Sequence, residues 1–492
     1  MRRSVIFNTS GILIVIIWLF TLFLLVKREH YKPEPVNTHD IYSQSNSEKN
    51  SEYWMDILLG KSKVGYSVTR VKAMKNGFEV TEKILVFVDL MGSRKKIISK
   101  TKASIDKRFL LNEFEYSIVA DSMNFMISGR IKGKSLLLSI GKGEGVETRV
   151  ITLPSKPMIA SSLSCFLSSL DLRVNNSYDL NLFDPLTMTT NTHTIRVANR
   201  ETIKIDGKPY DAFRLEMTYL GSPLVFWIDR DGTPLKETGL MGFILVKSSP
   251  EKAKAHLSLV ENIDLYDLSA INVEHKIQGP RDVSYLKLQL DSVPLILGSK
   301  GVRQKLHDTI LEINKEQTRS IPSYSIPYHG NDIELLHYLE PEMFIQSKDS
   351  EINMLSQKIV KNATNPEIAA RMIMDWVFEN IEKLPTVSVP NAKQTLLSRK
   401  GDCNEHAALM TALLRAAGIP SRIATGLVYN NEKFYYHAWN EAYIDGWITM
   451  DAVFKQMPVD ATHIKLITGG IEKQALIAGA INSIKFSVLD YR

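Results

Sequence analysis

Short runs of apolar and β-branched residues, separated by turn residues, fill the chain from Tyr53 to about residue 295. Such runs are typical of strands, and Asn76-Gly77 between two of them is a strong hairpin signal. Residues 154–172 depart from this pattern and are predicted to form a helical interruption. Residues 53–295 are therefore predicted to be an antiparallel β domain, open or barrel-like. Strands are expected at 64–72, 78–89, 95–104, 114–119, 124–131, 135–140, 192–205, 212–219 and 224–228.

A helical pattern replaces these runs in the last third of the chain. Residues 407–417 are strong helix formers and apolar nearly all round, which predicts a buried helix. Asp402 and Glu405 have the spacing of a capping box at its start. This spacing makes Asp402 the N-cap and Cys403 the first helical residue.

Two strands are predicted after this helix, and the loop between them decides which side chains share a face. A two-residue loop would put Asp451 on the face away from His437. A three-residue loop ending at Gly446 in the left-handed region pairs Tyr443 with Trp447. Asp451 then lies diagonal to His437, at about 7 Å between backbones. We predict the three-residue loop.

The chain has a long apolar segment near its N-terminus, residues 11–26. Residues 4–26 contain no charged residue, and a helix of this length would run ~34 Å, enough to cross a bilayer core of about 30 Å. No small-x-small cleavage site follows, so residues 1–27 are predicted to be an uncleaved signal-anchor, a transmembrane helix. Residues 28–52, rich in Pro, Ser, Asn and Glu, are predicted to be a flexible tether. We expect a single-pass protein of the inner (plasma) membrane with its body on the periplasmic side.

Composition and charge change this picture little. The 492 residues carry a net charge of +6, which is weak, spread out and compatible with work near an anionic membrane surface. Basic clusters such as residues 94–96 are short and lack stacking aromatic residues, so nucleic-acid binding is not expected. Two cysteines in so long a chain exclude a disulfide framework, and Cys165 is expected to pack as a free thiol in a short helix.

Cys403, His437 and Asp451 are the candidate catalytic residues. A thiol needs a base to become a thiolate, and the base needs a carboxylate to fix its tautomer and orientation. The start of a helix favours a thiolate, although Asp402 and Glu405 beside Cys403 oppose it. Cys403 taken alone is equally well interpreted as a small packed side chain.

Other interpretations apply to the neighbours of these residues. A zinc site that includes Cys403 and His406 would need further ligands that the sequence does not show, so no metal or cofactor is expected. Asp460 and His463 could rim the site or form a turn. Packing is the simpler interpretation for Tyr435, Trp439 and Glu441. Asn404 and His406 could equally well support the catalytic residues or form hydrogen bonds at the helix end.

Four segments resemble the transglutaminase-like superfamily, in particular its bacterial membrane-anchored or exported members. They are Gly-Asp-Cys-Asn-Glu-His-Ala at 401–407, Arg-Ala-Ala-Gly-Ile-Pro-Ser-Arg at 415–422, Tyr-His-Ala-Trp-Asn-Glu at 436–441 and Gly-Trp-Ile-Thr-Met-Asp at 446–451. The resemblance extends from about Thr364 to Lys465.

This resemblance implies a papain-like core, with the cysteine on a helix N-terminus and the histidine and aspartate on an adjacent antiparallel sheet. Matched by position, Cys403 is the nucleophile, His437 the base and Asp451 its orienter. The superfamily includes transglutaminases, proteases, amidases and members that have lost catalysis. The sequence shows no acidic cluster like the calcium sites of animal transglutaminases, so calcium dependence is not implied.

The sequence therefore predicts an α+β protein. A papain-like transglutaminase core over 296–492 would follow the mainly antiparallel β domain, the tether and the N-terminal transmembrane helix. The predicted function is attack on a carboxamide or peptide bond of a protein or peptide substrate, through a Cys-His-Asp triad and a thioester intermediate. Water as the acceptor would make the protein a cysteine protease or amidase. A third alternative is an anchored binding protein without turnover, and the β domain could bind a protein partner.

Overall fold

The computed structural model describes residues 50–120, 123–141, 146–255, 264–294, 296–297, 302–317, 324–386, 389–481 and 484–492. The predicted transmembrane helix and most of the predicted tether lie outside these residues. Among the helices within them, none is long and apolar enough to cross a membrane. The membrane location therefore stays a prediction.

Fifteen strands form one continuous sheet. They are β1 Ser51–Leu59, β2 Ser62–Met74, β3 Gly77–Leu90, β4 Ser93–Ile105, β5 Leu111–Ala120, β6 Met123–Lys132, β7 Ser135–Ile140, β8 Glu147–Thr152, β9 Met158–Ile159, β10 Ser177–Asp184, β11 Thr189–Ile205, β12 Lys208–Tyr219, β13 Ser222–Ile228, β14 Pro234–Thr238 and β15 Phe243–Ser248. Their order is β8-β7-β6-β5-β4-β3-β2-β1-β15-β14-β13-β12-β11-β10-β9. Neighbours are antiparallel apart from β9 and β10. Because β1 pairs with both β2 and β15, it joins the half β1–β8 to the half β9–β15.

The two halves of this sheet share one apolar core. In β7, Leu136, Leu138 and Ile140 are buried while the residues between them are partly exposed, the period of two expected for a strand with one face in a core. Phe114 of one half contacts Phe183 of the other, with ring centroids 5.3 Å apart. The sheet therefore closes over its own apolar face.

Helices and smaller sheets make up the C-terminal part of the chain. The helices among the described residues are α1 Leu163–Leu167, α2 Pro250–Lys254, α3 Leu265–Leu268, α4 Ile333–His337, α5 Ser350–Val360, α6 Pro366–Asn380, α7 Ala392–Ser398, α8 Cys403–Ala416 and α9 Ile471–Ala480. The remaining strands are β16 Ile271–Asn272, β17 Tyr285–Leu290, β18 Gln304–His307, β19 Ile310–Asn314, β20 Glu382–Lys383, β21 Lys400–Gly401, β22 Ser421–Asn430, β23 Lys433–Tyr443, β24 Trp447–Met450, β25 Ile464–Thr468 and β26 Phe486–Tyr491.

These strands form three sheets. One runs β16-β23-β22-β25, with β24 also paired to β23, and a second runs β18-β19-β17-β26. The third is the parallel pair β20 and β21. The pairing of β17 with β26 joins segments on both sides of residue 295, and the domain boundary predicted there stays a prediction.

Helix α8 lies at the centre of the C-terminal part. Its Leu409 and Leu413 are fully buried, as the apolar sequence predicts. Ser356 of α5 donates a hydrogen bond to the Leu413 carbonyl at 2.8 Å, and the Asn440 side chain of β23 donates to the Ala407 carbonyl at 2.9 Å. These two hydrogen bonds fix α8 between α5 and β23.

The predicted α+β class is wrong, because strands make up 49% of the structure, helices only 20%, and one large antiparallel sheet dominates. Several strands are longer than predicted, and β8 and β10 lie where no strand was expected. The helix predicted at 154–172 shrinks to a single turn at Ala160–Ser162 followed by α1. Serines account for this, since Ser162, Ser168 and Ser169 bond to nearby backbone carbonyls and compete with a continuing helix.

Candidate active site

Helix α8 begins at Cys403, as the sequence predicts, and Cys403 lines a cavity. The Asp402 carboxylate accepts the Asn404 N–H at 2.8 Å, and Glu405 accepts the Asp402 N–H at 2.8 Å. Both halves of the predicted capping box are present, with Asp402 as N-cap and Cys403 as the first helical residue. This geometry aims the first backbone N–H groups of the helix at the space around the thiol.

The Cys403 thiol lies against strand β23. The side chain is half-buried, and the backbone N–H of Ala438, the residue after His437, lies close to the sulfur. Burial raises the pKa of the Cys403 thiol well above its usual range, and the carboxylates of Asp402, Glu405 and Asp451 add to this effect. Burial and these acidic neighbours together favour the neutral thiol, so the thiol needs a base to ionise it.

The hairpin of β23 and β24 has the predicted register. Tyr443 pairs with Trp447, and the Ile444 N–H donates to the Gly446 carbonyl at 3.0 Å. Gly446 has φ of +116°, within the left-handed region that favours glycine. The three-residue loop is thus confirmed, and it brings Asp451 to the same side of the hairpin as His437.

His437 and Asp451 form a buried pair. The His437 Nε2 lies 2.7 Å from Asp451 Oδ2, and the two residues are only 5% and 1% exposed. Asp451 Oδ1 accepts the backbone N–H groups of Val453 at 2.6 Å and Phe454 at 3.3 Å. Burial opposes ionisation of Asp451, but the hydrogen bonds and charge of His437 and His463 hold its pKa well below the usual range. Because Asp451 is an ionised carboxylate, Nε2 is the protonated nitrogen of His437, and Nδ1 is left to accept a proton.

His463 is a residue whose position the sequence did not fix. It is fully buried, with Nε2 3.1 Å from Asp451 Oδ2 and Nδ1 3.4 Å from Asp460 Oδ1. Burial lowers the pKa of His463, but Asp460 and Asp451 outweigh it and raise the pKa above its usual value. Arg281 lies 3.0 Å from the other oxygen of Asp460. Asp460 and His463 therefore lie behind Asp451 and not at a rim. In the sequence, the three-residue spacing of Asp460 and His463 was the one sign of their contact.

Aromatic rings fix the plane of the His437 imidazole. Trp439 stacks on it with centroids 6.1 Å apart, and Phe454 lies on it at 5.3 Å. Trp439 is 1% exposed and also contacts His463 at 5.3 Å, which agrees with a packing role. The imidazole is therefore held both by hydrogen bonds and by ring contacts.

The other neighbours make structural contacts. Tyr435 stacks on Tyr266 with centroids 4.2 Å apart, and the Glu441 carboxylate accepts from Arg422 at 2.7 Å. The Tyr436 hydroxyl donates to Asn404 Oδ1 at 2.8 Å. His406 is buried, with its Nδ1 2.7 Å from the Asp402 carbonyl. These contacts tie β23 and α3 to the start of α8.

One group of side chains has a composition that suits a transition-metal ion. The ligand atoms of His437, Asp451 and His463 lie within 4.8 Å of one another. Both Nε2 atoms already point at Asp451 Oδ2, so hydrogen bonding satisfies these atoms. Cys403 and His406, the pair behind the zinc alternative, are not in this group. The arrangement fits a proton-transfer site better than a metal site.

A cavity of about 730 Å³ opens in front of Cys403 and His437. Asn404, His406 and Tyr436 line it on the same side. The opposite side is formed by hairpin turns of the large sheet. The thiol, the imidazole and a space for a substrate are thus contiguous.

Comparisons with known proteins bear on the C-terminal part. Residues 353–452 match the model of the transglutaminase-like superfamily. Comparison with curated proteins finds no match.

Three solved structures have local likeness to the chain. A candidate cysteine protease from Cytophaga hutchinsonii has 22% identity over 43% of this chain and 87% of its own, with a TM-score of 0.29. A β-barrel-like protein of a domain of unknown function from Brucella abortus has 13% identity over 40% and 94%, with a TM-score of 0.32. A candidate protease from Parabacteroides distasonis has 13% identity over 69% of each chain, with a TM-score of 0.19. TM-scores this low support no inference about activity.

The family match covers the helix that begins at Cys403 and the hairpin that carries His437 and Asp451. The resemblance seen in the sequence is therefore confirmed for this segment, since residues 353–452 match the transglutaminase-like superfamily.

Proposed function

We propose that the protein is a cysteine acyl-transfer enzyme that attacks a carboxamide or peptide carbonyl of a protein or peptide substrate. One observation carries the proposal. Cys403 and His437 line the same cavity, and His437 Nε2 lies 2.7 Å from the buried Asp451 carboxylate. This arrangement supports Cys403 as the nucleophile, His437 as the base and Asp451 as the orienting carboxylate, beside a cavity that can hold a substrate.

The first half of the reaction forms a thioester. His437 Nδ1 takes the thiol proton as the Cys403 sulfur attacks the carbonyl carbon, and the carbonyl π electrons move onto oxygen. The backbone N–H of Cys403, at the positive end of α8, would stabilise that oxyanion. The oxyanion then re-forms the carbonyl, the carbon–nitrogen bond breaks, and His437 gives its proton to the leaving amine.

The second half consumes the thioester. An amine or a water molecule attacks the carbonyl, loses a proton to His437, and expels the Cys403 thiolate, which recovers a proton. An amine acceptor makes the protein a transglutaminase, and water makes it an amidase or protease. We favour the transglutaminase reaction, and hydrolysis is the alternative.

The pKa of Cys403 shapes this mechanism. Because burial and acidic neighbours raise it, the resting thiol is neutral and proton transfer to His437 accompanies attack. Asp451 supports this transfer by stabilising the imidazolium that results.

Turnover on one peptide separates the alternatives. The wild type and Cys403→Ala would be incubated with a glutamine-containing peptide and a labelled primary amine, with amine incorporation, ammonia release and peptide cleavage followed by mass spectrometry. Incorporation that requires Cys403 supports a transglutaminase, whereas ammonia release or cleavage without incorporation supports hydrolysis. If the wild type shows no more amine incorporation, ammonia release or cleavage than Cys403→Ala, the result supports a binding protein without turnover.

A further inference from the structure

Four hairpin turns of the large sheet end at the cavity that contains Cys403. They connect β3 to β4, β10 to β11, β12 to β13 and β14 to β15. Each turn contributes at least one large apolar side chain to the lining, and together these side chains are called the apolar wall. The wall consists of Leu90, Met91, Leu186, Leu220, Leu240 and Met241.

Three residues of the apolar wall adopt a backbone conformation that is uncommon for their type. Met91, Leu220 and Met241 have φ of +49°, +49° and +55°. Glycine, asparagine and aspartate usually occupy such positions, because a larger side chain strains the left-handed conformation. Strained residues that cluster at one cavity indicate a functional constraint on the side chains presented there.

The same sheet contains a matched turn with an ordinary sequence. Asp206 and Gly207 connect β11 to β12 with φ of +50° and +77°, nearly the values of Met91 and Gly92 at +49° and +75°. Asp206 is not part of the cavity lining. The backbone geometry alone therefore does not call for an apolar side chain, whereas the cavity does.

Contacts hold the turns in place against the C-terminal part. The Gly92 N–H donates to the Asp264 carboxylate at 2.7 Å, and the Ser222 hydroxyl donates to the Gly479 carbonyl of α9. A Cβ built on Gly479 would lie 2.0 Å from the Leu220 carbonyl, so the turn and the helix touch closely. The apolar wall is thus a fixed surface opposite the thiol.

The carboxylate that lines the cavity beside the wall does not point to a charged ligand. It is Asp184, which accepts from the Tyr219 hydroxyl at 2.7 Å and the Leu186 N–H at 2.8 Å. Its oxygens therefore serve the turn itself. An apolar occupant fits this side of the cavity.

We propose that the apolar wall is a specificity subsite that receives bulky apolar side chains next to the carbonyl attacked by Cys403. The substrate class is then a peptide segment with leucine-like residues beside the reacting residue. This inference rests on the proposed function, since the position of the subsite is defined by the thiol.

Peptidyl chloromethyl ketones test the subsite directly, because they alkylate the cysteine without a completed turnover. Rates of Cys403 alkylation would be measured by intact mass for Leu-Leu and Ser-Ser reagents. Met91→Asn and Leu220→Asn place a favoured turn residue at the left-handed position, so both variants should fold. Asp206→Asn is the matched control.

We expect the wild type and Asp206→Asn to prefer the Leu-Leu reagent by about 10-fold or more. Met91→Asn and Leu220→Asn should lose most of this preference, whereas their rates with iodoacetamide should stay unchanged. Equal wild-type rates with the two reagents, or a preference that survives in both wall variants, would overturn the subsite.

Two more reactions distinguish a peptide from an acyl chain and the subsite from the proposed function. The first reagent is an alkyl chloromethyl ketone with the same number of carbon atoms as the Leu-Leu reagent. If it reacts as fast as the Leu-Leu reagent and loses the same rate in the wall variants, the subsite binds an acyl chain and the peptide substrate is ruled out. If His437→Ala alkylates at the wild-type rate while the Leu-Leu preference persists, the proposed function fails and the subsite stands.

Discussion

At the scale of single residues, the site depends on Asp451, because its carboxylate holds two imidazoles at once. His437 and His463 both place Nε2 at Asp451 Oδ2, at 2.7 and 3.1 Å. His463 also faces Asp460, which in turn faces Arg281. His437 is thus the outer member of a chain in which imidazoles alternate with carboxylates and which ends at Arg281.

Replacing the central carboxylate should abolish most activity. Asp451→Asn keeps the shape of the side chain but removes the charge that orients His437, so we expect kcat to fall by about 10³- to 10⁴-fold. Steady-state turnover measures the loss, and circular dichroism checks that the variant folds. Asp460→Asn, which changes the carboxylate on the far side of His463, should lose much less. A fall of less than tenfold in Asp451→Asn would contradict the assigned role.

His463 should make stability depend on pH. Its pKa is raised in the folded protein by Asp460 and Asp451 against the opposing effect of burial. The stabilisation is therefore complete below the unfolded value of about 6.5 and is lost as pH rises through the folded value. His463→Gln should be less stable than the wild type at pH 6, and this difference in the free energy of unfolding should shrink by pH 9. Urea unfolding at each pH measures the difference. A deficit that stays constant over this range would show that His463 does not titrate as described.

Sequence reasoning reached these residues unevenly. Cys403, His437 and Asp451 were predicted because local motifs surround each of them. His463 was not assigned a place, because its contact with Asp451 depends on how the chain returns after β24. The pattern Asp460-x-x-His463 is also compatible with a simple turn.

At the scale of elements, the features that depend on a few neighbouring residues were predicted correctly. The capping box of α8 and the Gly446 loop are both confirmed, since each follows from a few neighbouring residues. The α+β class was wrong because the extent of strands depends on partners far along the chain. Strand β11 spans Thr189–Ile205 because β10 and β12 pair along successive parts of it.

The cap of α8 can be separated from the charge beside the thiol. Asp402→Asn keeps a good N-cap but removes the charge, so Cys403 should alkylate faster at neutral pH. Asp402→Ala should also lose about 1 kcal/mol of stability. Iodoacetamide kinetics and urea unfolding measure the two effects. Burial raises the pKa of Cys165 to about 12, so it should add little background. Unchanged alkylation in Asp402→Asn would show that its charge has little influence on the thiol.

At the scale of the whole molecule, the cavity joins segments that are far apart in sequence. Trp54 pairs with Ser248 where β1 joins the two halves of the large sheet, and turns of both halves line the cavity. Apolar residues at turns, such as Met91 and Leu220, carry no sequence signal that names their partner. The apolar wall therefore became visible only in the folded chain.

The contact between Leu220 and α9 should be sensitive to one added methyl group. An Ala in a helix interior is usually more stabilising than Gly by about 1 kcal/mol. Gly479→Ala should instead lower the melting temperature, because its Cβ would meet the Leu220 carbonyl at 2.0 Å. Ser222→Ala, which removes only one hydrogen bond to Gly479, should have a smaller effect. An increase in melting temperature for Gly479→Ala would contradict this close contact.

The placement of the apolar wall on hairpin turns has an evolutionary consequence. Turn residues can be exchanged without altering the strands that hold them, as antibody loops vary on a constant framework. The proposed nucleophile and base lie on α8 and β23, which such exchanges leave untouched. If the proposed function holds, selection can change the substrate by altering two or three turn residues, while the chemistry of the thiol is inherited intact.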